Sequence, residues 1–180
     1  MGKLRINSFA VYRNYEFKLC DNIDDKKSEW ELFSSIRFKN VDIALKYNFK
    51  KCFRYDSCNG HEVKVECYYL PITPSQVESA YEIKNFCEYK GKSLHCEYRD
   101  EEKKFRINML YEDESLYPKL GLTEAFERVR RSNGYDDAGM ILEIPDNEIP
   151  NVWEEHLPIK GFPFKGPEKV WMKKDGVWLR

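Results

Sequence analysis

Between residues 41 and 69 the apolar side chains fall on alternate positions, and this period limits the possible folds more than any other feature. Val41, Ile43, Leu45, Tyr47, Phe49, Phe53 and Tyr55 occupy odd positions with mainly polar residues between them; after Asn59-Gly60, Val63, Val65, Cys67 and Tyr69 repeat the spacing. Successive residues of a strand point to opposite faces, so a period of two predicts two strands that each bury one face. Asn-Gly between them predicts a hairpin. Loop length then sets the register. A two-residue turn opposes Cys58 to His61 and places Val63 and Val65 on the face of Arg54 and Asp56. A three-residue loop, Cys58-Asn59-Gly60 with Gly60 left-handed and a bulge, pairs Tyr55 with Val63 and Phe53 with Val65, keeping every apolar residue on one face. The pattern favours the bulged hairpin.

The flanking segments predict further strands and a few helices. Residues 6–12 and 15–19 read as short strands separated at Asn14, and residues 170–173 and 177–179 as a terminal hairpin around Asp175-Gly176. Residues 93–98 and 105–111 read as a hairpin, residues 83–89 as helix or strand, and residues 140–144 as a core strand ended by Pro145. Asp24 or Asp25 is placed to cap a helix through Trp30, Leu32 and Phe33 to about Ile36. Thr73 or Ser75 is placed to cap a short helix carrying Val77, Ala80 and Tyr81; Thr123 caps a third over residues 124–131, and a helical turn is expected around Val152 and Trp153. With no repeat in the sequence, the sum is an α+β fold, a mainly antiparallel sheet with two or three packed helices, formed by residues 1–180 as a single domain.

Hydrophobic residues at 42% and aromatics at 15% supply a core; the mean hydropathy of -0.72 reflects charge rather than a shortage of core formers. The first ten residues lack the apolar stretch of a secretory signal, and no run of about 18 apolar residues occurs, so a cytoplasmic protein with no membrane partner is expected. Cysteines at 20, 52, 58, 67, 87 and 96 are then read as reduced.

Cys52, Cys58, His61 and Cys67 are the residue types that hold zinc. Six strand residues, however, separate Cys52 from Cys58 by about 20 Å, and the bulged register turns Cys52 and Cys67 to opposite faces. The reading is no metal and no cofactor. His61, His95 and His156 are the only histidines, and His95 beside Cys96 is not a dyad because strand neighbours point apart. The chain has no nucleophile elbow, metalloprotease helix or phosphate loop, so a catalytic set is not assigned. Paired carboxylates carry no spacing signature, which leaves an enzyme of unrecognised family as an alternative.

Charge is sorted along the chain although the total is only -1. Residues 132–159 contain no Lys or Arg but hold Asp136, Asp137, Glu143, Asp146, Glu148, Glu154 and Glu155, with Trp153 among them. Such a block creates a field that steers a basic partner. Residues 37–54 are basic, and Lys46, Lys50, Lys51 and Arg54 alternate with Tyr47, Phe49, Phe53 and Tyr55, a mixture able to stack bases and neutralise phosphates. Because alternation puts the aromatics on the face opposite the cations, core aromatics under a solvated basic face is the preferred reading, and nucleic acid is set behind a protein partner.

The small α+β domain, the missing catalytic signature and the acidic block with aromatics resemble the immunity proteins of bacterial toxin systems, such as contact-dependent growth inhibition. Residues 161–180, GFPFKGPEKVWMKKDGVWLR, are similar in style to the ends of such proteins. The resemblance implies a non-enzymatic antitoxin that binds and neutralises a basic protein toxin, a nuclease domain. Asp136, Asp137, Asp146, Glu148, Glu154 and Glu155 are then the expected contacts and Trp153 the anchor.

Overall fold

A computed structural model describes residues 4–5, 7–21, 30–35, 40–58, 61–109, 115–124 and 140–179, with the side chains of 56–58, 61, 62 and 140 excepted. The chain divides into two compact units. One holds Ile6–Lys84 and Glu155–Glu168, the other Gly2–Arg5, Asn85–Glu154 and Lys169–Arg180. No helix among the described residues is long and apolar enough to cross a membrane.

In the first unit, β1 (Asn7–Tyr12) and β2 (Tyr15–Asp21) form a hairpin in which Tyr12 opposes Tyr15. The two loop residues, Arg13 and Asn14, both have positive φ, the backbone a two-residue hairpin turn requires. Next come β3 (Trp30–Ser35), α1 (Val41–Lys46), β4 (Lys50–Cys58), β5 (His61–Ile72) and the start of β6 (Ser79–Tyr89). The strands lie in the order β6, β1, β2, β3, β5, β4, antiparallel throughout, with β4 at the edge. Phe17, Leu19, Leu32, Tyr68 and Ile72 bury one face, against which Ala44 and Phe49 pack. Phe33, Val65 and Cys67 are buried on the other. Pro71 is tolerated inside β5 because β4 begins at Lys50 opposite Tyr69 and leaves only β3 beside it.

In the second unit, Lys90 and Gly91, both at positive φ, turn the end of β6 into β7 (Lys92–His95). The short strand β8 (Glu97–Arg99), β9 (Lys104–Met109) and β10 (Met140–Pro145) form a three-stranded antiparallel sheet in the order β10, β9, β8. Between β9 and β10 in sequence lies α2 (Tyr117–Leu120), with Pro118 in its first turn and left-handed Gly121 at its end. The remaining strands are β11 (Val152–Pro158), which continues into the first unit, and β12 (Lys169–Lys174) hairpinned to β13 (Val177–Trp178). Phe105, Ile107, Met109, Tyr117, Ile144, Val152 and Met172 make this unit's core.

The expected α+β fold with two or three packed helices does not hold: the described chain is mostly antiparallel strand, and α1 and α2 are one or two turns each. Trp30–Ser35 is a strand because it lies between β2 and β5 and is covered on both faces, which erases the period-two signal. Val41–Lys46 is a helix despite its odd-numbered apolar residues. Ala44 takes the buried position, and the helix ends where Asn48 turns left-handed and the amide of Phe49 donates to the Ala44 carbonyl at 3.0 Å. Thr73 caps only the 3-10 turn Pro74–Gln76, after which Ala80 and Tyr81 belong to β6. The turn expected at Val152 and Trp153 is strand β11. Thr123 and Glu124 are helical, while the remainder of that expected helix, with Asp24, Asp25 and Ile36, lies outside the described residues.

The hairpin register is also corrected. Cys58 opposes His61, Arg54 opposes Val65 and Cys52 opposes Cys67, the two-residue arrangement rather than the bulged one. An edge strand need not bury its apolar face. Phe53 and Tyr55 stay 52% and 70% exposed, while Val65 and Cys67 are buried against Phe33 on the opposite side.

Candidate functional site

The acidic block is divided by the fold. Glu154 is fully buried and takes a forked pair from Arg5, Nε to Oε1 at 3.1 Å and Nη2 to Oε2 at 2.7 Å. Asp146, in the 3-10 turn Asp146–Glu148, accepts from Lys173 Nζ at 2.8 Å and from the Trp178 indole at 3.2 Å. Glu148 is exposed, Glu155 half-buried, and Glu143 faces Lys104 at 3.4 Å. Asp136 and Asp137 lie outside the described residues. Trp153 is 4% exposed, stacks on Phe86 with centroids 6.0 Å apart, and with Trp171 clasps the Lys169 ammonium at 3.8 and 4.2 Å.

His95 is exposed and packs edge-on to Phe86, whereas His156 is buried and stacked on Tyr81 at 4.3 Å. The His61 side chain lies outside those described. Among the described residues no three His, Cys, Asp or Glu are placed to hold one metal ion. A cleft of about 610 Å³ in the first unit is lined by Lys18, Asp21, Trp30, Glu82 and Lys160, so its acids share the lining with two cations.

The two-residue register instead builds a site on the exposed face of the β4–β5 hairpin. Lys51, Phe53 and Tyr55 share that face with their ladder partners Lys64, Glu66 and Tyr68, the last buried where the face runs into the core. The Lys64 ammonium sits 4.4 Å and the Lys51 ammonium 5.4 Å from the Phe53 ring centroid. Lys51 also pairs with Glu66, which accepts a hydrogen bond from Tyr68. The Lys51 bond, followed by that from Tyr68, holds the Glu66 carboxyl below its ordinary value. Glu66 thus keeps Lys51 beside the ring.

Lys50 and Arg54 lie on the other face. Arg54 covers the Phe33 ring at 4.5 Å and pairs with Glu31 at 3.3 Å. Lys46 is on α1, and Arg37 and Lys39 lie outside the described residues. Sequence reasoning set aside Phe53 and Tyr55 as core residues, and missed Lys64 by looking only at one strand. The Asn59-Gly60 dipeptide, read as a two-residue turn, was the available signal. Comparison with protein families, with characterised proteins and with solved structures found no match to this chain.

Proposed function

We propose that this chain is a non-catalytic binding protein that uses the exposed face of its β4–β5 hairpin to hold single-stranded nucleic acid. The observation that carries this reading is the solvent exposure of Phe53 and Tyr55, with the Lys51 and Lys64 ammonium groups beside the Phe53 ring. Aromatic rings on a strand take stacked bases of any sequence, and lysines beside them neutralise the phosphates. Binding of a labelled single-stranded oligonucleotide, followed by anisotropy, is expected to weaken by roughly 5- to 100-fold for each of Phe53→Ala and Tyr55→Ala, the loss of one stacked base. Two lysine contacts predict a log–log salt slope of about -1.4. Both rings are exposed, so melting should barely move. Binding that survives the double alanine variant sinks the proposal.

A second reading keeps the immunity-type inhibitor of a basic protein toxin. It is favoured by the Trp153–Trp171 clasp, in which a lysine ammonium already rests against two indoles at 3.8 and 4.2 Å. Among the described acids of the block Glu148 is exposed, whereas Asp146 and Glu154 serve the interior. Reversing Glu148 together with Asp136 and Asp137, its neighbours in the sequence block, should abolish neutralisation of a basic nuclease domain added to the purified chain. Retained neutralisation would exclude this surface.

A further inference from the structure

Cys52 of β4 and Cys67 of β5 stand directly opposite one another. Directly opposed residues of an antiparallel pair have Cα atoms about 4.5 or 5.5 Å apart, and both distances fall inside the range of about 4.4–6.8 Å that a disulfide spans. Their side chains share one face, packed with Phe33, Val65 and Cys20. Cys52 is half-buried and Cys67 is 2% exposed, so an oxidant arriving from solvent meets Cys52 first. Burial, then the facing Cys67 thiol, holds the Cys52 thiol above its ordinary value, and the neighbouring Arg54 charge offsets only part of that rise. A thiol at the entrance, a second thiol across the ladder and a cation beside the first form a set that a single cysteine lacks.

From this juxtaposition we infer that Cys52 and Cys67 are a site of reversible disulfide formation that staples β4 to β5 when the chain meets a small-molecule disulfide such as glutathione disulfide. The Cys52 thiolate attacks one sulfur of that disulfide and expels one glutathione thiolate. Cys67 then loses its proton and attacks the Cys52 sulfur of the mixed disulfide, expelling the second. Two protein thiols are oxidised and one glutathione disulfide is reduced to two thiols, which balances the electrons. The staple closes residues 52–67 into a loop and ties down the edge strand, whatever the face above it binds.

The test exposes the purified full chain to glutathione disulfide, alkylates the remaining thiols, digests without reduction and maps linked peptides by mass spectrometry. The expected result is a Cys52–Cys67 link, two glutathione thiols released per chain, and a rise in melting temperature that dithiothreitol reverses. Cys52→Ser, at a half-buried position, should melt as the reduced chain does and show no rise. A Cys52–glutathione adduct that persists, or a link from Cys52 to Cys20 or Cys58, overturns the assignment. Mapping on the unsubstituted chain decides it even if the variant folds poorly, and oligonucleotide binding plays no part in the readout.

Discussion

Arg5→Ala is expected to lower the unfolding free energy by about 3–5 kcal/mol, the loss found when one member of a buried ion pair is removed. The Glu154 side chain has no exposed surface and Arg5 is itself only 17% exposed, so the carboxylate left behind has no water to replace the guanidinium. The forked geometry, with both Arg5 nitrogens on both Glu154 oxygens, also predicts that Arg5→Lys recovers only part of the loss, because an ammonium cannot make both bonds in one plane. Replacing the pair together, Arg5→Met with Glu154→Leu, should restore most of the stability, since two apolar groups need no partner. Urea denaturation of the three variants checks this. An Arg5→Ala midpoint equal to that of the unsubstituted chain would show that Glu154 is not held as described.

That pair also shows how the fold divides the acidic block. A run of acids without Lys or Arg is legible in residues 132–159, but which of them face solvent is settled by cations far away in the chain, and Arg5 is 149 positions from Glu154. Turns were legible where the chemistry is local. Asn14 and Asp175-Gly176 take positive φ and reverse the chain as read, with Arg13 sharing the first of these turns. Elements decided by neighbours were not. Trp30–Ser35 looks helical until β2 and β5 cover both its faces, and Val41–Lys46 alternates like a strand although it closes as a helix at Asn48.

The same limit hid the candidate site. Assuming that every apolar residue of the hairpin is buried forces a bulge, whereas β4 lies at the sheet edge and leaves Phe53 and Tyr55 outside. One step in register then changes two conclusions together. The aromatic residues become a surface, and Cys52 and Cys67, expected on opposite faces, come to stand across from each other.

Asp146→Ala is expected to cost about 3 kcal/mol, at the lower end for a buried pair because the carboxylate is 24% exposed while Lys173 is 3% exposed. The substitution takes acceptors from the Lys173 ammonium and the Trp178 indole, leaving the ammonium only the backbone carbonyl of residue 146, at 2.6 Å. For a chain of this length the melting temperature should fall by roughly 6–12 °C. Tyr98 supplies a second readout. Burial, then the nearby Asp146 charge, holds its phenol above the ordinary value of about 10. A phenol raised in the folded chain favours the protonated form, so its contribution is complete below the unfolded value and is lost as pH climbs through the folded one. Removing Asp146 takes away the charge repulsion and the hydrogen bond, so Tyr98 should titrate at lower pH in an ultraviolet titration of the variant. If melting falls while Tyr98 titrates unchanged, the carboxylate does not sit among these three side chains. If both move together, Asp146 is an internal strut, and weakened partner binding by an Asp146 variant is then a consequence of unfolding rather than of a lost contact.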